Sequence, residues 1–247
     1  MQLAMSTWCD IEDYLRRSRA LIVPIGSMEQ HGPTGLIGTD ALCAELIAAR
    51  AGDAAGILIG PTFNVGCAQH HLGFPGTLTL RPSTMIAALV DWCASLVRHG
   101  FERLYFLNGH GGNIATLNAA FAEIYAQRSL DAEAAPATLR LRARSWWELP
   151  AVMDTCRSLH PRHDGVHATA SEIALTWAAY PEQERRAVLR PRVAPSGPFT
   201  DAQDYRERFP DGRIGSDPSQ ATAENGEKIL AAAASALIED FQRFAAS

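Results

Sequence analysis

"ALIVPIGSMEQHGPTGLIGTD", residues 20–40, contains the change of character from which the whole chain can be read. Its opening run, "ALIVPIG" (20–26), is continuously apolar, the pattern of a strand covered on both faces. The remainder is rich in glycine and proline yet carries Glu29, His31 and Asp40. A buried strand that empties into an acid, an imidazole and a second acid fits an α/β protein with its chemistry at the strand ends.

The pattern repeats along the chain. "ALCAELIAARAG" (41–52) reads as a helix begun by Asp40 and stopped by Gly52, and "GILIGPTF" (56–63) as a second strand. "PSTMIAALVDWCASLVRHG" (82–100) has proline and serine at its start and Gly100 at its exit, both helix-boundary signals. "RLYFLNG" (103–109) is a third strand, residues 113–128 a helix, and "TLRLRARSW" (138–146) an alternating fourth strand. Residues 168–180 and 222–245 read as helices, and the polar stretch 181–219, rich in Pro, Gly and Arg, as a long excursion with little regular structure. Strand–helix alternation predicts a mostly parallel sheet with helices on both faces. No repeat or linker divides the chain, so residues 1–247 are expected to form one domain.

Bulk properties narrow the function. Hydrophobic residues make up 47% and charged residues 20% of 247, an ordinary globular composition. The net charge is −5 and no Lys/Arg stripe is present, which argues against nucleic acid as a partner. The N-terminus lacks the plan of a secretory signal, and no apolar run approaches the roughly 20 residues that span a bilayer. Cys9, Cys43, Cys67, Cys93 and Cys156 form no C-x-x-C pair, so free thiols in a reducing cytoplasm are expected.

The first strand runs into the Glu29–His31–Asp40 loop and the third into "NGHGGN" (108–113). Both loops set histidine among glycines, which let backbone approach a ligand closely. Carboxylate and imidazole donors suit zinc, manganese or ferrous iron. Glu29 and His31, two apart, face one side of an extended segment. Asp40 can bridge two cations, and "DGVHATASE" (164–172) offers His167 and Glu172 as further candidates. Plainer readings stand beside these: Asp40 as a helix N-cap, and "GHGGN" as an anion-binding helix start.

These blocks, with "PIGSMEQHGPTGLIGTD" (24–40), "HHLGFPGT" (70–77) and "GSDPSQATAENGEKIL" (215–230), occur in the order of the creatininase, or creatinine amidohydrolase, family. The sequence closely resembles that family from about residue 20 to 230. The resemblance implies a three-layer α/β/α sandwich, a homohexamer, and a two-metal centre that cleaves C–N amide bonds with a metal-activated water. By position, Glu29 and His110 resemble ligands of one metal, His31 a ligand of the other, Asp40 the bridge, and Glu172 the carboxylate completing the second site. Zn²⁺ is the first expectation for the ions, with Mn²⁺ or Fe²⁺ as alternatives.

Two departures matter. True creatininases resemble N-G-H-Y-E-N where this chain has "NGHGGN", so Gly112 stands in place of a ligating glutamate. The helix segment often reads H-A-G-E-x-E-T-S in the family; here it is "HATASEIA", which keeps Glu172 but has Ala170 and Ile173 at neighbouring positions. The resemblance is therefore to the broader amidohydrolase branch, with a small amide, formamide or cyclic amide as substrate. A peptidase of the mycofactocin-precursor type and a catalytically silent metabolite-binding protein are the alternatives. His167 is the candidate general acid. His70 and His71 are not expected to be metal ligands. Alternation sends Trp146 and Trp147 to opposite faces, so one of them at most should reach the site.

Overall fold

The computed structural model describes residues 1–131 and 138–247. Its sheet consists of β1 (Ala20–Ile25), β2 (Arg103–Asn108) and β3 (Arg140–Ser145), all parallel and adjacent in that order. Ile25, Asn108 and Ser145 lie in one register row. The three following loops therefore leave the same edge, as parallel connectivity requires.

Strand alternation divides the core into two layers. Ala20, Ile22, Tyr105 and Leu107 face α2 (Thr39–Ala55), α5 (Pro150–Leu159) and the long α8 (Ala223–Ala245). Leu21, Val23, Ile25, Leu104 and Phe106 face α1 (Trp8–Leu15), α3 (Pro82–Arg98) and α4 (Ile114–Leu130). Helices on both faces complete the expected three-layer sandwich. Two further helices, α6 (Ala170–Ala179) and α7 (Ala202–Arg208), lie at the end where the loops emerge.

Three local expectations change. Residues 56–63 run beside β1 but pair only through isolated bridges, Ile59 to Ile22 and Phe63 to Ile25. Pro24 in β1 and Pro61 in the segment both lack an N–H, so a regular ladder cannot propagate. Helix α2 passes through Gly52 and ends at Gly56, whose φ of 66° suits the left-handed cap. Gly52 is instead a packing position, where an added Cβ would meet the Ile59 side chain at 2.7 Å. Sequence patterning also missed α1 and α5. Their start signals are short: a Thr7–Asp10 capping box for α1 and Pro150 at the first position of α5.

The glycines after β1 and β2 place α2. A Cβ on Gly26 would sit 2.4 Å from Ala41 Cα, and one on Gly109 would sit 2.0 Å from the Asp40 carbonyl oxygen. Only bare backbone lets the first turn of α2 rest against both strand ends, and that contact puts Asp40 between the two loops. Gly109→Ala should accordingly lower the stability measured by urea unfolding by about 1–3 kcal/mol, the usual range for overpacking. Gly111→Ala, where an added Cβ meets nothing within 4 Å, should stay within about 0.5 kcal/mol of the parent. Equal midpoints for the two variants would remove this account of how α2 is seated.

Candidate metal centre

The shared edge of β1 and β2 collects all six residues singled out in the sequence. Glu29 and His31 follow β1, Asp40 lies in the first turn of α2, and His110 follows β2. His167 precedes α6 and Glu172 lies in its first turn. His31 Nε2 is 3.0 Å from Asp40 Oδ1 and 3.9 Å from Glu172 Oε1. His110 Nδ1 is 2.9 Å from Asp40 Oδ2, and its Nε2 is 3.2 Å from Glu29 Oε2. His167 Nδ1 is 3.6 Å from Glu29 Oε1.

Donor atoms of Glu29, Asp40 and His110 all lie within 4.8 Å of one another, and so do those of His31, Asp40 and Glu172. The two groups share Asp40. A third group joins Glu29, His31 and His167.

Backbone carbonyls assign the protons on three of these rings, because a carbonyl can only accept. His31 Nδ1 donates to Glu29 O at 3.1 Å, His110 Nε2 to Cys67 O at 3.0 Å, and His167 Nε2 to Gln30 O at 2.8 Å. In the neutral rings, His31 Nε2, His110 Nδ1 and His167 Nδ1 are then bare and face carboxylates. Lone pair against carboxylate is repulsive unless positive charge lies between them. Oε2 of Glu29 and Oδ2 of Asp40 are buried without a hydrogen-bond partner, and Glu29 Oε1 has the His71 ring nitrogen 3.0 Å away. Orphaned carboxylate oxygens beside bare, carbonyl-anchored imidazole nitrogens fit divalent cations well.

Without metal, protons serve as that positive charge. Burial opposes protonation of His31, but Asp40, Glu172 and Glu29 outweigh it and raise its pKa to about 10. His110 is raised to about 9 against burial, by Glu29 and Asp40. Burial disfavours ionised Asp40, yet His31 and His110 hold it far below the ordinary carboxylate range. Burial and Asp40 lift Glu172 to about 7 despite His31. Burial, together with His31 and His71, pushes His167 well below its ordinary value, so it is neutral.

Local structure supplies the remaining placement. Thr169 and Glu172 form a capping box, with Glu172 Oε1 accepting from Thr169 N at 2.6 Å. Ala168, with φ of 52°, reverses the chain so that His167 turns inward while Thr169 starts the helix. Asp40 is not the N-cap of α2; Gly38 is, and the Asp40 carboxylate turns to the two histidines instead. A Cβ on Gly112 would fall 2.4 Å from His110 Nε2 and 2.6 Å from Cys67 O. That loop thus has no room for a longer side chain at Gly112, and the carboxylate grouped with His31 and Asp40 is that of Glu172.

A cavity of about 780 Å³ opens over Glu29, Asp40, His110, His167 and Glu172. Trp146 and Trp147 both line it, contrary to the strand-alternation expectation, because β3 stops at Ser145 and both tryptophans lie in a 3₁₀ turn. Sequence reasoning also undervalued His71. It is 2% exposed, with Nε2 3.0 Å from Glu29 Oε1 and Nδ1 2.8 Å from the Gln30 amide. Its adjacency to the "LGFPGT" turn was the sole sequence signal.

Residues 4–241 match the creatininase family, described as creatinine amidohydrolase. The chain belongs to the creatininase family. Creatininase-family relatives include the mycofactocin precursor peptide peptidase of Mycolicibacterium smegmatis, 28% identical over 222 residues that cover 85% of this chain and 79% of the relative. Creatinine amidohydrolase of Pseudomonas putida is 27% identical over 175 residues, 66% of this chain and 65% of that enzyme. A solved structure, "Creatininase Mn", superposes with a TM-score of 0.85 at 24% identity over 98% of both chains.

The raised imidazoles predict a pH effect in metal-stripped protein. His31 and His110 bind protons more tightly folded, at about 10 and about 9, than at their ordinary 6.5. Their stabilisation is complete below the ordinary value and is lost as pH rises through the folded values. Urea midpoints of chelator-stripped protein should fall steadily between about pH 7 and pH 10. A flat profile would contradict the raised proton affinities of His31 and His110.

Proposed function

We propose that this creatininase-family member is a dinuclear metal-dependent amidohydrolase opening a C–N bond in a small amide, formamide or cyclic amide. The observation that carries the reading is the pair of donor groups sharing Asp40, with orphaned oxygens on Glu29 and Asp40. Glu29, Asp40 and His110 would hold one divalent cation; His31, Asp40 and Glu172 would hold the other. Mixed nitrogen and oxygen donors suit Zn²⁺ first, with Mn²⁺ or Fe²⁺ as alternatives. When bound, such ions supply Lewis acidity and lower the pKa of water from about 15.7 to about 7.

The chain's own groups perform the remaining chemistry. His167 is neutral and anchored through Nε2, so its bare Nδ1 accepts the proton of the attacking water and returns it to the leaving amine. Backbone N–H groups of Gly111 and Gly112, which line the cavity, are the donors for the developing oxyanion. Trp146, Trp147 and Phe199 wall the same space, orient the apolar part of the substrate and exclude water.

A peptidase reading has specific support from the Mycolicibacterium smegmatis relative, whose similarity extends over 85% of this chain. The same centre serves a peptide bond, and the cavity wall decides between the substrates. We further read the chain as one domain working as a homo-oligomer, a homohexamer by family resemblance, in the cytoplasm. Its five cysteines are all free, and no helix among the described residues is long and apolar enough to cross a membrane.

Metal analysis followed by assay on formamides, lactams and short peptides tests the reading. Two equivalents of divalent metal per chain and hydrolysis of a non-peptide amide are expected. Asp40→Ala should lose both ions and reduce turnover by more than about 100-fold, since even outer hydrogen-bond partners of a metal site contribute about 10–100-fold. Full activity and metal content in folded Asp40→Ala would end the proposal, and turnover confined to peptides would select the peptidase reading.

A further inference from the structure

Gln30, between Glu29 and His31, has its amide fixed by two backbone groups that cannot exchange roles. Its Oε1 accepts from Gly32 N at 2.8 Å, and its Nε2 donates to Gly212 O at 2.9 Å. Tyr205 OH donates to the same carbonyl at 2.7 Å. Gly212 has a φ of 88°, and a Cβ there would run into the Gln30 amide. The 181–219 excursion, through Tyr205 and Gly212, therefore clamps a side chain at the centre of the site.

One amide hydrogen remains, and two imidazole nitrogens lie near it: His71 Nδ1 at 2.8 Å and His167 Nε2 at 3.0 Å. His167 Nε2 already directs its proton to Gln30 O, so it cannot accept. His71 Nδ1 at 2.8 Å is a far closer acceptor than Tyr205 OH at 3.5 Å, which places the ring proton on Nε2, 3.0 Å from Glu29 Oε1.

We infer that Gln30 and His71 are positioning residues: the Gln30 amide fixes His71 as the Nε2–H tautomer, and His71 presents that N–H to Glu29 Oε1, orienting the carboxylate. The inference rests on the proposed role of Glu29 as a metal ligand and deepens it. It also excludes His71 as a ligand, because neither ring nitrogen has a free lone pair. A histidine that donates to a ligating carboxylate tunes metal affinity from outside the coordination sphere. Gln30 acts only through it.

Two measurements test this without a substrate. In ¹⁵N-histidine NMR of the Zn²⁺-loaded parent protein, His71 should show an unprotonated Nδ1 and a protonated Nε2; a protonated Nδ1 would overturn the inference. Zn²⁺ dissociation constants from chelator competition should rise about tenfold in Gln30→Met and about 10–100-fold in His71→Phe. The double variant should bind Zn²⁺ as His71→Phe does, since Gln30 has no route to the metal once the ring cannot relay. Multiplying effects, or an unchanged constant in Gln30→Met, would refute the relay while leaving the metal centre standing. A parent protein that binds neither Zn²⁺ nor Mn²⁺ would remove the metal reading and this inference together. If Gln30→Met does not fold, the parent spectrum alone still decides the tautomer.

Discussion

Glu29, Asp40 and Glu172 bring three carboxylates below the surface within reach of His31, His110 and His167. Taking such groups out of water is strongly unfavourable unless positive charge lies among them. Every nearby feature answers that constraint. Backbone carbonyls orient three imidazoles so that their other nitrogens meet the carboxylates. The oxygens left over on Glu29 and Asp40 mark where the hydrogen bonding stops short. The proposed cation site and the proposed hydrolytic site are here one arrangement.

The sheet makes this concentration of charge possible. Parallel register brings the ends of β1 and β2 to one edge, and α2 closes against both because Gly26 and Gly109 have no side chains. Asp40 is thereby held at the meeting of two loops. The core helices stabilise the sheet by burying its two apolar faces, with Ile22 and Leu107 on one side and Val23 and Phe106 on the other. The charged cluster sits beyond the end of that core, where the loops can supply polar backbone.

Much of the fold could be read directly because its signals are local. Continuous apolar runs marked β1 and β2, and boundary residues marked α3 and α8. Residues 56–63 misled because composition resembles a strand whether or not a ladder can form, and two prolines interrupt the pairing. Trp146 and Trp147 misled because alternation was carried two residues past the true end of β3. The six candidate site residues were legible as chemical types in glycine-rich loops. His71 and Gln30 were not, since a histidine in a turn and a glutamine between two candidate ligands look alike whether or not they touch.

Residue order alone determined the donor set, the strand ends that carry it and the family resemblance, because each depends on spacing along the chain. Tertiary structure decided which nitrogens of His31, His110 and His167 are bare, why Gly112 must be glycine, and how a polar excursion more than 150 residues downstream clamps Gln30. Those features are set by hydrogen-bond direction and steric contact between distant segments. No local pattern encodes them, so they become defined only when the chain has closed on itself.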